Sequence, residues 1–286
     1  MKVSVIISIK NRTKLFRRSL KLYNKQSMPR SEWELVVVDD NSDEDVLATL
    51  KEYASDLNWQ YIRMDSHRND FPIFWGPALS NNVGFRSAAG EVIVITGPEI
   101  LISESALEQS YNGAMLNKAI FGHVLHSHPK FVRLMDSNPA MEDYSFDRLF
   151  VSPLAKVQDL TSKNFYWFWM AVKKETVMAI NGCDEQFMHG ICGDDDDFAN
   201  RLHEYGAHKT HDMSVKGIHQ DHKSEDVGDP KRVRWDATWE PARLRNTKYL
   251  EDWLTVRGRN PVANESREWG SESLVISRER NKGDLS

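Results

Sequence analysis

Short apolar runs alternate with amphipathic stretches through the first hundred residues of the chain. Four runs predict strands, at 3–9, 33–40, 59–64 and 91–97, and the first of them is rich in β-branched residues. Runs without regular polar alternation are typical of strands that are buried on both faces of a parallel sheet. Helix-like segments separate them, and the last one spans 76–90. This order predicts right-handed βαβ units and a Rossmann-like α/β sheet flanked by helices.

The pattern changes beyond Ile120. Residues 121–165 mix histidine, proline, serine and phenylalanine without a clear period, and no element is predicted there. Regular patterning returns over residues 164–187, which predict a strand, a helix and then a turn at Asn181-Gly182.

The last part of the chain, residues 223–286, carries many charges of both signs. Within it, residues 240–254 predict one helix, and its final dozen residues are expected to be disordered. The leucines of this helix are expected to face the body of the protein: Leu244, Leu250 and Leu254. We therefore predict a domain over 1–222, with a donor-binding half at 1–100 and an acceptor-binding half at 101–222, followed by a C-terminal extension.

The composition is typical of a soluble globular protein. The chain has 286 residues, of which 40% are hydrophobic and 28% are charged. A net charge of -5 gives no whole-chain signal for binding nucleic acid or an acidic membrane. No apolar run approaches the ~18 residues of a membrane span. Two cysteines are too few for a disulfide framework, so a cytoplasmic protein is expected, although one bridge remains possible.

The most unusual stretch is "GICGDDDDFANRL", which places four aspartates in a row before a predicted amphipathic helix. Asp194 fits a helix N-cap, and acids in the first turn interact favourably with the helix dipole. Each further acid adds repulsion, so capping explains one or two of the four. The alternate spacing of a calcium-binding EF-hand loop is absent. The remaining hypothesis is a carboxylate cluster in which one acid is a general base and its neighbours hold substrate hydroxyl groups.

Together with "AINGCDEQF" before it, this stretch resembles the acceptor-site segment of inverting GT-A glycosyltransferases, especially the β-1,4-galactosyltransferase type. Three other segments are similar in the same order. "VSVIISIKNR" resembles the first strand and donor-binding turn, "VVVDDNSDED" the turn common among family 2 nucleotide-sugar transferases, and "NNVGFRSAAGEVIVI" the helix and strand before the metal site. The resemblance covers about residues 3–222 and implies a GT-A mixed sheet.

The resemblance also implies roles for individual residues. It makes Asp195 the catalytic base that deprotonates an acceptor hydroxyl. Residues expected at the acceptor are Asp194, Asp196, Gly193 and Trp169. Residues expected at a nucleotide sugar, with UDP favoured, are Ser8, Lys10, Asn11, Arg12, Asp39, Asp40 and Asn82. The alternatives are a turn and helix cap for Asp39 and Asp40, a surface position for Arg12 and core packing for Trp169.

The metal-binding motif departs from the family pattern. Where relatives have Asp-x-Asp, "TGPEI" has Gly97 at the first acid and Glu99 at the second. Downstream, "GIHQDH" places His219 and His222 where the galactosyltransferases have a metal-binding Met and His. The resemblance therefore implies Mn²⁺, or another divalent metal such as Mg²⁺, held by Glu99, His222 and His219. A second histidine cluster, "HVLHSH" at 123–128, also looks metal-like but has no family motif behind it.

The expected activity is inverting transfer of a sugar from a nucleotide diphosphate sugar to a hydroxyl group of a glycan or other polar acceptor. One alternative is a non-catalytic nucleotide- or carbohydrate-binding protein that kept a degenerate GT-A fold. A nucleotidyltransferase is disfavoured because "SIKNRTK" contains no glycine for a phosphate-binding loop. A transferase acting on modified nucleic-acid bases stays open because of the basic stretches "KRVRW" and "ARLRNTK". The sequence indicates no oligomeric state.

Overall fold

The chain is organised around a mixed β-sheet. The computed structural model describes residues 1–66, 77–155, 158–159, 167–222, 239–256, 260–266 and 268–282. Ten strands form this sheet within those residues: β1 Val3–Ile9, β2 Trp33–Asp40, β3 Trp59–Met64, β4 Val92–Thr96, β5 Ile100–Ile102, β6 Lys118–His126, β7 Gln158–Asp159, β8 Trp169–Lys173, β9 His208–His219 and β10 Val275–Asn281.

The strand order is β10-β3-β2-β1-β4-β8-β6-β9-β5, and β7 pairs with β6. Strands β3, β2, β1 and β4 are parallel to one another. Strand β8 is antiparallel to both β4 and β6, and β6 is parallel to β9. The carboxyl ends of β1, β2, β4, β6 and β9 therefore lie at one edge of the sheet, where β8 begins. We call this the carboxyl edge.

Helices cover both faces of the sheet. Their bounds are α1 Thr13–Tyr23, α2 Val46–Tyr53, α3 Ala78–Ser87, α4 Ala106–Met115, α5 Pro129–Ser137, α6 Phe146–Phe150, α7 Lys174–Ala179, α8 Asp194–Glu204 and α9 Trp239–Val256. Because side chains alternate along a strand, β1 contributes Val5 and Ile7 to the core on one face and Ile6 to the core on the other. This explains why apolar residues occupy consecutive positions in the middle of the strand.

The structure confirms the predicted α/β architecture. All four strands predicted from the first hundred residues are present, as β1 to β4. The helix predicted at 76–90 is α3, although residue 76 lies outside the described residues. No helix in the described part of the chain has the length and apolar character needed to cross a membrane.

The expectation of a disordered C-terminus is wrong for most of its length. Strand β10 pairs antiparallel with β3, from Val275 opposite Met64 to Asn281 opposite Trp59. The Asn281 side chain also donates hydrogen bonds to the carbonyl groups of Ser55 and Leu57. The prediction failed because β10 is a charged edge strand, and a polar pattern carries no signal of burial. The last four residues, 283–286, lie outside the described residues.

Candidate active site

The turns after β1 and β2 are tied together at the carboxyl edge. Asn11 and Arg12 both adopt left-handed backbone conformations, with φ of 58° and 70°. The Asn11 N–H donates to Ser42 Oγ at 2.7 Å, and Asn11 Oδ1 accepts from the Asp43 N–H at 2.8 Å. These contacts place Arg12 at the N-cap of α1, with its guanidinium directed towards the loop after β4.

The two aspartates that end β2 are buried and hydrogen-bonded within the protein. Asp39 has no exposed surface and accepts hydrogen bonds from the Ser42 N–H at 2.9 Å and the Tyr61 hydroxyl at 2.6 Å. Asp40 accepts from both the N–H and the hydroxyl of Ser66, at 2.8 and 2.7 Å. Both carboxylates therefore shape the turn, as the turn alternative predicts.

Two other residues expected at the donor lie close to this turn. The Lys10 ammonium donates to the carbonyl oxygens of Asp40 and Asn41, at 2.8 and 3.3 Å, and its burial lowers its pKa. The Ser8 hydroxyl donates to Asn81 Oδ1 at 2.6 Å. The turn around β1 and β2 is thus a preformed polar surface.

Asn82 is not brought into this group. Its side chain is fully buried, donates to the Cys183 carbonyl and to Glu185 Oε1, both at 2.9 Å, and accepts from the Cys183 N–H at 2.8 Å. It joins α3 to the loop before α8, which is a structural role rather than contact with a nucleotide sugar.

Three predicted metal ligands meet at the carboxyl edge. Glu99, His219 and His222 each offer one ligand atom, and these atoms lie within 4.8 Å of one another. Glu99 and His219 are buried, and Glu99 Oε1 lies 3.6 Å from His219 Nε2. One carboxylate oxygen and two imidazole nitrogens form a donor set that suits a first-row metal such as manganese better than calcium. The residues therefore fit a divalent cation.

The electrostatics of Glu99 favour its charged form. Burial alone would raise its pKa, but the Arg12 guanidinium, 3.3 Å away, together with His219 and His222 holds the pKa of Glu99 well below its usual range. Gly97 allows this arrangement, because a Cβ there would lie 2.7 Å from Glu99 Oε1. The missing first acid of the motif thus corresponds to space that the Glu99 carboxylate occupies.

The four aspartates open α8 and have different environments. Asp197 is buried and pairs with Arg201 at 2.8 Å, so it is structural. Asp194 and Asp195 are half-buried, and Asp196 is exposed. Burial, with the charges of the neighbouring aspartates, raises the pKa of Asp194 to about 6 and raises the pKa of Asp195 well above its ordinary value.

The start of α8 lies towards the carboxyl edge. Phe198, one turn into the helix, packs edge-on against Trp167, which lies two residues before the start of β8, with ring centroids 5.7 Å apart. Gly193 precedes the helix with a φ of 82°, a left-handed conformation that a side chain would strain. This left-handed turn leads directly into Asp194 and Asp195, the first two residues of the helix.

The loop before α8 is held by α9. Asn246 is buried and donates to the carbonyl groups of Phe187 and Cys192, at 2.9 and 3.0 Å. Gly190 fits closely beneath it, because a Cβ there would lie 2.4 Å from Asn246 Oδ1. The Ile191 N–H donates to the Ala242 carbonyl at 3.3 Å. Asn246, which sequence reasoning missed, therefore holds the predicted acceptor loop in place.

Trp169 does not fit the predicted acceptor role. It is 1% exposed, and its indole N–H donates to Ser110 Oγ at 2.8 Å beneath α4. Its ring therefore presents no face to a sugar, and the alternative of core packing is correct. Alternation along β8 directs this side chain into the core.

The "HVLHSH" segment places one residue next to the predicted cation group. His126 ends β6 at the carboxyl edge, where its ring packs against that of His219 with centroids 4.9 Å apart. The signal was present as a histidine near the end of an apolar run, but only the sheet topology brings it beside "GIHQDH".

The first part of the chain matches a known protein family. Residues 4–112 match the family described as Glycosyl transferase family 2. The chain is 29% identical over 110 residues to the poly(ribitol-phosphate) β-N-acetylglucosaminyltransferase TarS of Staphylococcus aureus strain Mu50. That match covers 38% of this chain and 18% of TarS, so the chain matches only a minor part of this relative.

Solved structures show that the fold extends further than this match. The crystal structure of S. aureus TarS 1-349 in complex with UDP-GlcNAc has a TM-score of 0.60 and 16% sequence identity, covering 89% of this chain and 72% of that one. The mannosyltransferase PcManGT from Pyrobaculum calidifontis, in complex with GDP-Man and Mn²⁺, has a TM-score of 0.56 and 19% identity, covering 91% of this chain and 72% of that one. The fold is therefore that of GT-A transferases.

Proposed function

We propose that this chain, whose residues 4–112 are a glycosyl transferase family 2 domain, is an inverting glycosyltransferase that transfers a sugar from a UDP-sugar to a hydroxyl group of a glycan or other polar acceptor. The observation that carries the proposal is the convergence of Glu99, His219 and His222, whose ligand atoms lie within 4.8 Å of one another at the carboxyl edge of the sheet. Asp194 and Asp195, half-buried at the start of α8 and with raised pKa values, would supply the base. A carboxylate with a raised pKa is a stronger base than an exposed one.

In this proposal the donor lies on the turns after β1 and β2, within residues 1–100. Arg12 would contact the diphosphate, because its guanidinium already lies at the loop that carries Glu99. Asn11 would contact the nucleoside, on the turn that Asp39 and Asp40 shape, with Ser8 and Lys10 close by. TarS has been solved with UDP-GlcNAc, and this likeness supports a UDP-sugar as the donor.

Asp195 would take the proton of the acceptor hydroxyl as that oxygen attacks the anomeric carbon from the face opposite the diphosphate. The bond between the anomeric carbon and the diphosphate oxygen breaks in the same displacement, so the configuration inverts. Asp194, Asp196 and Gly193 would orient the acceptor through its other hydroxyl groups, within the half formed by residues 101–222. Asp195 must be ionised to act, which requires a pH above its raised pKa.

Glu99, His219 and His222 would hold the metal, for which Mn²⁺ is our choice and Mg²⁺ the alternative. When bound, a divalent cation offsets the negative charge that develops on the diphosphate leaving group. Arg12 shares Glu99 with this site, so we expect weak metal uptake by the protein alone and clear uptake once a diphosphate is bound to Arg12.

The experiment is a screen of UDP-, GDP-, CDP- and ADP-sugars for slow hydrolysis, with Mn²⁺ and with a chelator in excess. We expect a UDP-sugar to be hydrolysed in the presence of Mn²⁺, and we expect excess chelator to abolish this hydrolysis.

Asp195→Asn should lower turnover by about 10²–10⁴-fold while UDP affinity, measured by calorimetry, changes little. Glu204→Gln, on the exposed last turn of the same helix, is the control. Undiminished turnover in Asp195→Asn would exclude this base, and a preference for GDP would reassign the donor.

A second candidate is a non-catalytic nucleotide- or carbohydrate-binding protein, which Gly97 at the first acid of the metal motif favours. It would bind UDP without hydrolysing any sugar nucleotide in the same screen.

Our proposal also includes a cytoplasmic location, which is supported by both cysteines being free thiols.

A further inference from the structure

Gln220 joins the two segments that carry the predicted cation ligands. These are the Glu99 loop, residues 97–99, and the histidine segment, residues 219–222. The Gln220 N–H donates to the Glu99 carbonyl at 3.1 Å, which extends the antiparallel pairing of β5 with β9 by one position. The Gln220 side-chain amide donates to the same carbonyl, also at 3.1 Å. Backbone and side chain of one residue therefore set the separation of the two segments.

The Gln220 amide is also bonded to α1. Its nitrogen donates to the Leu15 carbonyl at 3.2 Å, and its oxygen accepts from the Arg18 guanidinium at 3.4 Å. Carbonyl groups only accept hydrogen bonds and a guanidinium only donates them, so a single orientation of the amide satisfies all of these partners. Gln220 has no exposed surface, so water does not compete for these hydrogen bonds.

Arg18 is itself fixed by acidic residues. Its buried guanidinium donates to Glu142 Oε1 at 3.1 Å and to the Asp136 carboxylate. The same helix places Arg12, the predicted diphosphate contact, at its N-cap. Through Gln220, the segments that carry the predicted cation ligands are thus attached to the helix that carries the predicted diphosphate contact.

We propose that Gln220 is a positioning residue that holds the Glu99 loop, the histidine segment and α1 at the spacing that a divalent cation bound beside a diphosphate requires. The inference rests on the proposed cation site. Gln220 is not itself a ligand, because its amide is bonded within the protein, and it acts through the backbone of the residues that are. Binding groups must be held within about 0.5 Å of their productive positions, and loss of the partners that orient metal ligands typically costs about 10–100-fold in metal affinity.

The first test compares two buried positions that both bind the Glu99 loop. Gln220→Met keeps the length of the side chain but removes the hydrogen bonds of its amide. Ser19→Ala is the matched control. Ser19 Oγ donates to the Pro98 carbonyl at 2.7 Å, so this substitution loosens the loop from α1 but leaves it joined to the histidine segment. Mn²⁺ affinity is measured with UDP present, by electron paramagnetic resonance of the free ion, and UDP affinity without metal is measured by calorimetry.

We expect Gln220→Met to weaken Mn²⁺ binding by about 10–100-fold while UDP binding without metal changes little. Ser19→Ala should keep a Mn²⁺ affinity near that of the wild type, although its melting temperature also falls. Wild-type Mn²⁺ affinity in folded Gln220→Met, or equal losses of affinity in the two variants, would overturn the proposal. If Gln220→Met does not fold, Gln220→Asn takes its place, because its shorter amide cannot reach Leu15 and Glu99 together.

A second measurement needs neither metal nor nucleotide and separates this inference from the proposed function. Hydrogen exchange followed by mass spectrometry reports local opening of the pairing between β5 and β9. We expect Gln220→Met to speed exchange in peptides that cover residues 97–102 and 216–222, and to do so more than Ser19→Ala. If wild-type protein with UDP takes up no Mn²⁺, the proposed cation site is wrong, and exchange still decides whether Gln220 holds the two segments together. Unchanged exchange in folded Gln220→Met would contradict the positioning role in either case.

Discussion

Adjacent carboxylates at the start of α8 change one another's chemistry. Asp194 and Asp195 are both half-buried, and each lies in the negative field of its neighbours. Because two close groups titrate as a pair, the protons leave in steps that belong to the pair rather than to either residue. Burial, together with the repulsion that makes four aspartates unusual in sequence, thus gives Asp195 its basicity.

We predict an acid limb in the pH profile of turnover near pH 6, the raised pKa of Asp194. Turnover should fall below this pH because the pair takes up a proton. Asp194→Asn removes a neighbouring negative charge, so the limb should move to lower pH. Turnover is measured with saturating UDP-sugar and Mn²⁺, and an unmoved limb would show that Asp194 does not act on Asp195.

The same shift has a consequence for folding stability. A carboxyl whose pKa is raised by folding binds its proton more tightly in the folded state, so its ionisation destabilises the fold above about pH 6, and this cost disappears below its ordinary value of 3.8. Asp194→Asn should therefore raise the free energy of unfolding at neutral pH, by on the order of 1 kcal/mol. Thermal melting at pH 8 is the measurement.

The residue types, but not their surroundings, could be predicted from sequence. Glu99, His219 and His222 were identified from a family pattern, and the structure brings their ligand atoms together. Asn82 and Trp169 were assigned to ligands, yet both side chains bond to groups inside the protein. Sequence gives the order of strands and loops, whereas the direction of a side chain depends on which face of its element is buried.

At the scale of elements, α9 shows why a hydrophobic pattern can mislead. Leu244 was expected to face the body but is 52% exposed, whereas Ala242 and Asn246 are buried. The buried face carries a polar residue because the loop beneath it presents backbone carbonyl groups that need donors. In a helix that packs on a loop, some buried positions hold polar residues that hydrogen-bond to the loop. Apolar residues then do not recur at helical spacing, and the buried face cannot be predicted from them.

We predict that Asn246→Ala impairs acceptor binding while donor binding stays near normal. The substitution removes two hydrogen bonds to the loop that precedes Gly193, so the loop should sample other conformations and raise the acceptor KM by about tenfold or more. Lys248→Ala, exposed on the same helix, is the control. Equal effects of Asn246→Ala on acceptor KM and on UDP affinity, measured by calorimetry, would indicate a general loss of stability instead.

At the scale of the whole molecule, the C-terminal segment is part of the domain. Trp269 packs against Arg86 of α3, and the Gly270 N–H donates to Glu185 at 2.7 Å. The Asn264 side chain donates to the carbonyl groups of Asn181 and Cys183 at 2.9 and 2.8 Å. The sequence suggested an extension outside the domain because this segment is highly charged. The residues that make these contacts are isolated between polar neighbours, so they form no recognisable apolar pattern.

We predict that truncation after residue 274 destabilises the protein and promotes its association. Removal of β10 leaves the N–H and C=O groups of β3 unpaired along one side, and such an edge pairs readily with other chains. The melting temperature should fall by several degrees, and size-exclusion chromatography should show species larger than the monomer. An unchanged melting temperature would mean that β10 contributes nothing to the stability of the sheet.

The pairing of β10 with β3 also has a consequence for folding during synthesis. Trp59 leaves the ribosome long before its partner Asn281, and elongation proceeds at roughly 5–20 residues per second. The edge of β3 that pairs with β10 therefore stays unpaired for on the order of 10 s or more. During this time β1, β2 and β3 can already pair with one another. During that interval the nascent segment of residues 1–100 exposes an unpaired strand edge that can mispair with other chains, so we expect its folding yield in a cell to depend on translation speed.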